Sequence, residues 1–480
     1  MGHRKRKVNA MKRSILSAFA LIVTMASAHA QNLSTDDLER RTVQRRAVEA
    51  VIWGMPTVNY DLMLQAMLNK TEGKINQFIY WSRPSDWRNQ TLTPNPDAIY
   101  FMTFFNTKDA GPVVIEVPPA EGGSLAANID DVWQVALEDA GPAGADQGKG
   151  GKYLILPPDY HDNPPAGYFV LPSQTYGGFA LLRSNLPGRT EADFARSVAY
   201  AKQLKIYPLA QAANPPPTTF TDVMGILYDS TIPFDLRFFQ SLDRVVQSEP
   251  WQERDRAMID QLRSIGIEKG KPFNPDAKTQ EILNAGAREA KALLELRYEA
   301  VIPPYFEGTR WRSPAQPEAV QGQSTHYANR DAYPIDARGL TYTYGFIGIK
   351  RLGTAQFYLM AIKDKDGKNF SGASTYHLVV PADAPVRQYW SVTAYDRATH
   401  ALIRDMPRAS AASQSAELAK TADGSVDLYF GPKALAGKES NWVPTRPDGE
   451  FELLFRLYAP TKPLFDKTWK LPDVERVPGQ

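Results

Sequence analysis

The chain has 480 residues, 55 Lys and Arg against 53 Asp and Glu, 43% hydrophobic and 11% aromatic residues, and no cysteine. That composition fills ordinary cores for two or three domains and excludes collagen-like and disordered classes. The missing thiol excludes disulfides, thiolate nucleophiles, cysteine-ligated zinc and iron–sulfur clusters together.

Residues 11–30, MKRSILSAFALIVTMASAHA, read as a secretory signal: a basic start, an apolar run from Ile15 to Ala26, and Ala28-His29-Ala30 as cleavage site. The run is shorter than the roughly 20 residues that cross a bilayer, so it predicts export to the periplasm or medium, with no membrane span. The basic run Arg4 to Lys7 reads as sequence upstream of the start at Met11, not as a nuclear signal. Without residues 1–30 the balance is 49 basic against 53 acidic residues, so no basic footprint for nucleic acid remains. The partners expected are a small-molecule ligand or substrate, with a homo-oligomer left open.

Asp36 to Lys70 has helical spacing at Val43, Ala47, Val48, Val51 and Ile52, with Ser34 or Thr35 as cap and Pro56 restricting continuation. From Ile99 to Arg183 the runs AIYFMTFF, PVVIEVP, KYLILPP, GYFVLPS and GGFALLR predict strands separated by turn residues. Between Thr190 and Tyr305 the period changes. Thr190 and Asp193 form a capping box, and stretches 190–206, 236–265 and 276–300 read as helices, with Asn274-Pro275 as a cap and first turn. NPPPTT at 214–219 breaks the helical run. After Tyr333 strand signals return in LTYTYGFIGIK, AQFYLMAIKD, STYHLVVP, QYWSVTAYD, SVDLYFGP and FELLFRLYAP. Asp364 to Gly367 resembles the start of a calcium loop but lacks its closing acid, so it reads as a hairpin turn. The fold class expected is mainly β with an α insert: two β-sandwich or jelly-roll-like domains, 31–189 and 333–480, joined by a helical region, 190–332.

Two C-terminal strands carry one polar and one apolar face by alternation. Tyr389, Ser391, Thr393 and Tyr395 oppose Trp390, Val392 and Ala394; Glu452, Leu454, Arg456 and Tyr458 oppose Phe451, Leu453, Phe455 and Leu457. An outer sheet face meets water, which is the simpler account of the polar stripes. If they line one cavity instead, Arg456 offers a planar fork to a carboxylate, phosphate or sulfate, and Tyr395 and Tyr458 donate hydroxyl hydrogen bonds. Asn95-Pro96-Asp97, followed by Tyr100, is ordinary turn chemistry that also presents Asp97 as general base or metal ligand beside Asn95 and Tyr100. Asp130-Asp131 before Trp133 reads as a solvated loop or a cation site. After cleavage only His161, His326, His377 and His400 remain, with no HExxH or HxH pair. Each alone reads as structural, and a site joining distant histidines to Asp97 or Asp131 stays geometrically open. No GxSxG elbow, P-loop or GxGxxG turn is present.

TPNPDAIYF, GPVVIEVPP, GGKYLILPP and GYFVLPS resemble a bacterial domain-of-unknown-function family, number twelve-fifty-four. RQYWSVTAYD, DGSVDLYFGP, NWVPT and FELLFRLYAP are similar to its usual partner, family twelve-fourteen. The positions that match the motifs are Asn95, Asp97 and Tyr100, then Trp390, Tyr395, Asp396, Asn441, Trp442, Arg456 and Tyr458. Ala98 stands where a threonine is common, and Tyr389 where phenylalanine is common. Some related exported proteins have been proposed to be metal-dependent hydrolases, so the resemblance makes a divalent metal a candidate cofactor. The leading expectation is a hydrolase of a small or amphiphilic organic substrate, with Arg456, Tyr458, Tyr395 and Asp97 catalytic. Asn95, Tyr100, Trp390, Asn441 and Trp442 would contact the substrate. The alternative is a non-catalytic envelope protein that binds a ligand or partner.

Overall fold

The computed structural model describes residues 34–479, apart from 187, 346, 353 and 354. The signal read at 1–30 lies outside the described residues. Helix α1 (Thr35–Lys70) opens the described chain, and Ser34 caps it by accepting from the Asp37 amide at 3.1 Å. Pro56 was expected to restrict this helix, yet the helix runs through it. Proline has no N–H to give the Ile52 carbonyl four residues back. At that carbonyl the neighbouring helix α7 (Ile335–Thr343) approaches through Gly339, where an added Cβ would lie 2.7 Å from the oxygen. Gly339→Ala is therefore expected to destabilise the protein by about 1–2 kcal/mol in a urea titration, since overpacking against backbone outweighs the roughly 1 kcal/mol that alanine adds to a helix.

The first sandwich joins two sheets. Its six-stranded sheet runs in the order β11 (Phe220–Asp222), β1 (Phe78–Tyr80), β3 (Ile99–Asn106), β9 (Gly177–Ser184), β5 (Leu125–Asp131), β6 (Ala136–Ala140). Its four-stranded sheet is β10 (Lys205–Pro208), β4 (Val113–Val117), β7 (Gly151–Leu156), β8 (Phe169–Pro172). A parallel pair, β2 (Asn89–Gln90) with β12 (Tyr228–Asp229), stands apart. The near-continuous apolar text of β3 follows from its place: Ile99, Phe101 and Phe105 fill the sandwich, while Tyr100, Met102 and Phe104 face the helices.

Helices α2 (Glu191–Ala201), α3 (Leu236–Ser248), α4 (Arg256–Arg263), α5 (Ala277–Val301) and α6 (Pro317–Ser324) precede α7. The capping box of α2 is present as read, with Thr190 and Asp193 bonding reciprocally. The cap of α5 is Asp276, not Asn274: its carboxylate accepts from the Thr279 amide at 2.7 Å, so the proline lies just outside the helix. One apolar cluster joins α1, α3, α5 and α7 to the outer face of the six-stranded sheet.

LTYTYGFIGIK, read as a strand, instead forms the end of α7 and a loop. Leu340 and Tyr342 turn into the central cluster, a tertiary demand that overrides local β preference. The second sandwich packs β13 (Gln356–Ala361), β14 (Phe370–Ser371), β16 (Trp390–Asp396), β17 (Ser410–Ala412) and β20 (Glu450–Tyr458) against β15 (Tyr376–Val380), β18 (Val426–Gly431), β19 (Trp442–Pro444) and β21 (Glu475–Arg476). Asp364–Gly367 makes the turn expected of it, with Gly367 at φ +80° and its amide donating to the Asp364 carbonyl at 2.9 Å. No helix among the described residues is long and apolar enough to cross a membrane.

Candidate functional site

The apolar face of β16 and β20 fills the second sandwich as alternation requires, through Trp390, Val392, Ala394, Phe451, Leu453, Phe455 and Leu457. The polar face does not meet water. Ser391, Thr393 and Arg456 are 0–1% exposed, because the Thr93–Asp97 loop of the first sandwich closes over them. Arg456 donates from Nη1 to Thr393 Oγ1 at 2.9 Å and from Nη2 to the Thr93 carbonyl at 2.7 Å and to the Tyr395 hydroxyl. Tyr395 donates onward to the Pro94 carbonyl at 2.6 Å. The Asn95 amide reaches the Tyr458 hydroxyl at 2.7 Å and that of Tyr389 at 3.1 Å, and the Asn95 backbone N–H donates to Tyr100 at 2.9 Å. Asn95, Tyr100, Tyr395, Arg456 and Tyr458 thus meet in one buried network that joins the two sandwiches. Burial pushes the Tyr395 and Tyr458 hydroxyls above the usual phenol range, so both stay protonated donors.

The other expected site residues lie elsewhere. Trp390 is in the sandwich core, stacked on Phe455 with ring centroids 5.7 Å apart, where no substrate reaches it. Asn441 braces a loop, accepting from the Ala419 amide and donating to the Ala419 and Asp427 carbonyls, each at 2.8 Å. The Trp442 indole donates to the Gly431 carbonyl at 2.9 Å. The Asp97 backbone N–H donates to Asn95 Oδ1 at 3.0 Å as the turn reading expects, and its carboxylate pairs with Arg189 and accepts from Ser410 Oγ at 3.1 Å. It opens on an outer cleft rather than on the Arg456 network. Asp130 and Asp131 are buried at the end of β5, not in a solvated loop. Asp131 is turned inward by two backbone amides, Trp133 and Val135, each 2.8 Å from Oδ1. His400 pairs with buried Glu452 at 2.7 Å and His377 with Asp427 at 2.8 Å, while His161 and His326 are exposed. Among the described residues no three His, Asp or Glu side chains are placed to hold a metal ion.

Behind the Arg456 network is a cavity with about 60 Å³ of water-accessible space. Asn59 and Met63 of α1, Trp81, the Thr93–Pro94 backbone, Tyr358 and the Ile347–Ile349 loop wall it, and Tyr100, Met102, Phe179, Leu181 and Arg183 form its floor. Arg183 was not foreseen. It occupies an inward position of β9 in register with Tyr100 of β3, whose ring it faces with 5.6 Å from the guanidinium carbon to the centroid. Its Nη1 donates to Asn128 Oδ1 at 3.1 Å, while its Nε has no partner, and neither has Asn59 Oδ1. A charged residue at the inward position of a strand apolar on both faces was the available signal in GGFALLR.

Asp130, opposite Phe179 on the same sheet face, has both carboxylate oxygens buried without a hydrogen bond. Burial, with Asp139 and Asp131 nearby, pushes its carboxyl well above the usual range. The unfolded chain releases this proton near pH 4 while the folded chain keeps it, so the residue costs stability as pH rises above about 4. Asp130→Asn is expected to match the wild type near pH 4 and to exceed it at neutral pH, read from urea midpoints across the range.

Residues 75–208 match the model of a family described as a protein of unknown function (DUF1254), and residues 355–462 that of another (DUF1214). The chain pairs a DUF1254 domain with a DUF1214 domain. No curated protein matches it. The crystal structure of the VPA0106 protein from Vibrio parahaemolyticus shares 18% identity and a TM-score of 0.55 over 91% of this chain and 100% of that one. That likeness shows the mainly β fold with its helical middle. A putative uncharacterized protein from Burkholderia cenocepacia is 12% identical, with a TM-score of 0.41 over 92% and 95% of the two chains. The Thr93–Asp97 segment, inside the DUF1254 stretch, is thus what covers the polar stripe inside the DUF1214 stretch.

Proposed function

We propose that this DUF1254–DUF1214 protein is exported and binds a small organic anion with an apolar body in the cavity between its sandwiches. One observation carries the reading: Arg183 and Arg456, both buried, face the same cavity, and among the described residues neither has a carboxylate within 4.0 Å. A guanidinium keeps its charge, and a buried charge without a counter-ion costs several kcal/mol. A ligand carboxylate supplies that counter-ion, and Met63, Trp81, Met102 and Ile347 supply apolar walls. Space for about four to six water-sized molecules suits a short-chain or single-ring carboxylate.

The hydrolase reading gives Tyr395 and Tyr458 the role of donors to developing negative charge and Asp97 the role of base. Its support is one unpartnered Asp97 oxygen. Asp97 opens on the outer cleft, away from the two arginines, so binding is the better supported reading. Calorimetric titration of protein beginning at Gln31 with butyrate and benzoate tests it. Saturable binding of either, without consumption of their esters, is the expected result. Ester turnover lost in Asp97→Asn would favour hydrolysis, and no heat with either carboxylate would remove the anion site.

A further inference from the structure

We propose that the outer cleft along the seam of the two sandwiches is a second binding site, for neutral polyhydroxy compounds of the sugar class. The cleft offers about 420 Å³ of water-accessible space, far more than the inner cavity. Asp97 lies at its base with its side chain 1% exposed. One carboxylate oxygen is held by Arg189 and Ser410, and the other, Oδ2, is buried with no hydrogen-bond partner. Gln414, on the facing wall from the second sandwich, likewise has a buried and unpartnered Oε1. Two acceptors with no donor are an unfavourable end state for a folded protein and an apt one for a ligand that brings hydroxyl groups.

Charge selects among such ligands. Arg189 already neutralises Asp97 and Asp193 pairs with Arg196, so a cation entering the cleft would lose hydration without gaining an unpaired counter-charge, and so would an anion. A neutral ligand escapes both penalties. The remaining lining suits a ring of hydroxyls: the amides of Asn185 and Gln388 act as donor and acceptor together, and Tyr389 adds an aromatic surface. Asn185 is fixed in place, its Nδ2 donating to Ser124 Oγ at 2.7 Å and its backbone carbonyl accepting from Ser197 Oγ at 3.0 Å.

The test is saturation-transfer NMR and calorimetry on the chain from Gln31 with D-glucose, N-acetyl-D-glucosamine and myo-inositol, with butyrate and ethylammonium as charged comparisons. At least one polyol is expected to bind with a dissociation constant of about 1 mM, ahead of both ions. Asp97→Asn, which keeps the side-chain shape, should weaken it at least about fivefold, the value of one hydrogen bond. Because Asp97→Asn also leaves Arg189 unpaired, Gln414→Leu, at a half-buried position outside the ion pair, is measured in parallel with the same expected loss. Saturating the inner cavity with benzoate should leave polyol binding unchanged. No polyol binding, equal binding in both variants, or displacement by benzoate would each overturn the second site, and the last would place the polyol in the inner cavity.

Discussion

Arg183→Met should leave the protein at least as stable as the wild type in buffer free of organic anions, yet abolish the stabilisation that a bound carboxylate gives. Exchanging a buried, unpaired charge for an apolar side chain of similar length is commonly neutral or stabilising by about 1–4 kcal/mol. The offsetting loss is one hydrogen bond, which leaves Asn128 Oδ1 without its Arg183 donor and costs about 1–3 kcal/mol. A carboxylate at a hundred times its dissociation constant adds about 2.7 kcal/mol to the wild type and nothing to a variant lacking the site. The stability order of the two proteins should therefore invert as benzoate is added, which differential scanning calorimetry reads directly. Parallel shifts in both would mean that Arg183 holds no ligand.

Arg456→Ala should behave differently, as a folding defect of about 3–5 kcal/mol already in the absence of ligand. Its guanidinium is bonded to Thr393, Thr93 and Tyr395, and its stem fills space between two sandwiches. Removal leaves a cavity and orphans the Thr93 carbonyl. Ser391 is the internal comparison: it lies across the strand pair from Arg456, is fully buried, and its hydroxyl has no partner, so Ser391→Ala should be close to neutral. Urea denaturation of both variants separates the cases. A stable Arg456→Ala protein would mean that the remaining bonds across the joint, those of Asn95, Tyr395 and Ser410 among them, suffice to hold it.

Much of this architecture is legible in the chain because it is written at short range. Period-two text in β16 and β20 shows which residues enter the sandwich core, and Thr190 with Asp193 marks the start of α2. What covers the other face is a long-range fact. Nothing near Arg456 in sequence reveals that Thr93 and Pro94 lie upon it, more than 360 residues away, so a buried joint looks like a wet surface. The same limit hides Arg183, whose meaning depends on which carboxylates fail to approach it. Motif membership had a different weakness: Trp390, Asn441 and Trp442 lie inside the stretch that matches DUF1214, and each is placed by packing or backbone bonding rather than by a cavity.

The DUF1254 match ends at residue 208, but the sheet it contains does not. Strand β11 pairs in parallel with β1 from beyond that end, and α1, which precedes the match, covers the sheet's outer face through Tyr60 against Phe104 and Phe179. The partners of α1 on its other side, α3, α5 and α7, are complete only at residue 343. In kinetic terms the native contacts are strongly non-local, and such chains close large loops before any contact rewards them. A chain emerging from its N-terminus can offer α1 the sheet face of Phe104 and Phe179 once β9 is made, but not the helices that bury its other side. Burial of that helix is therefore complete only when most of the chain is present.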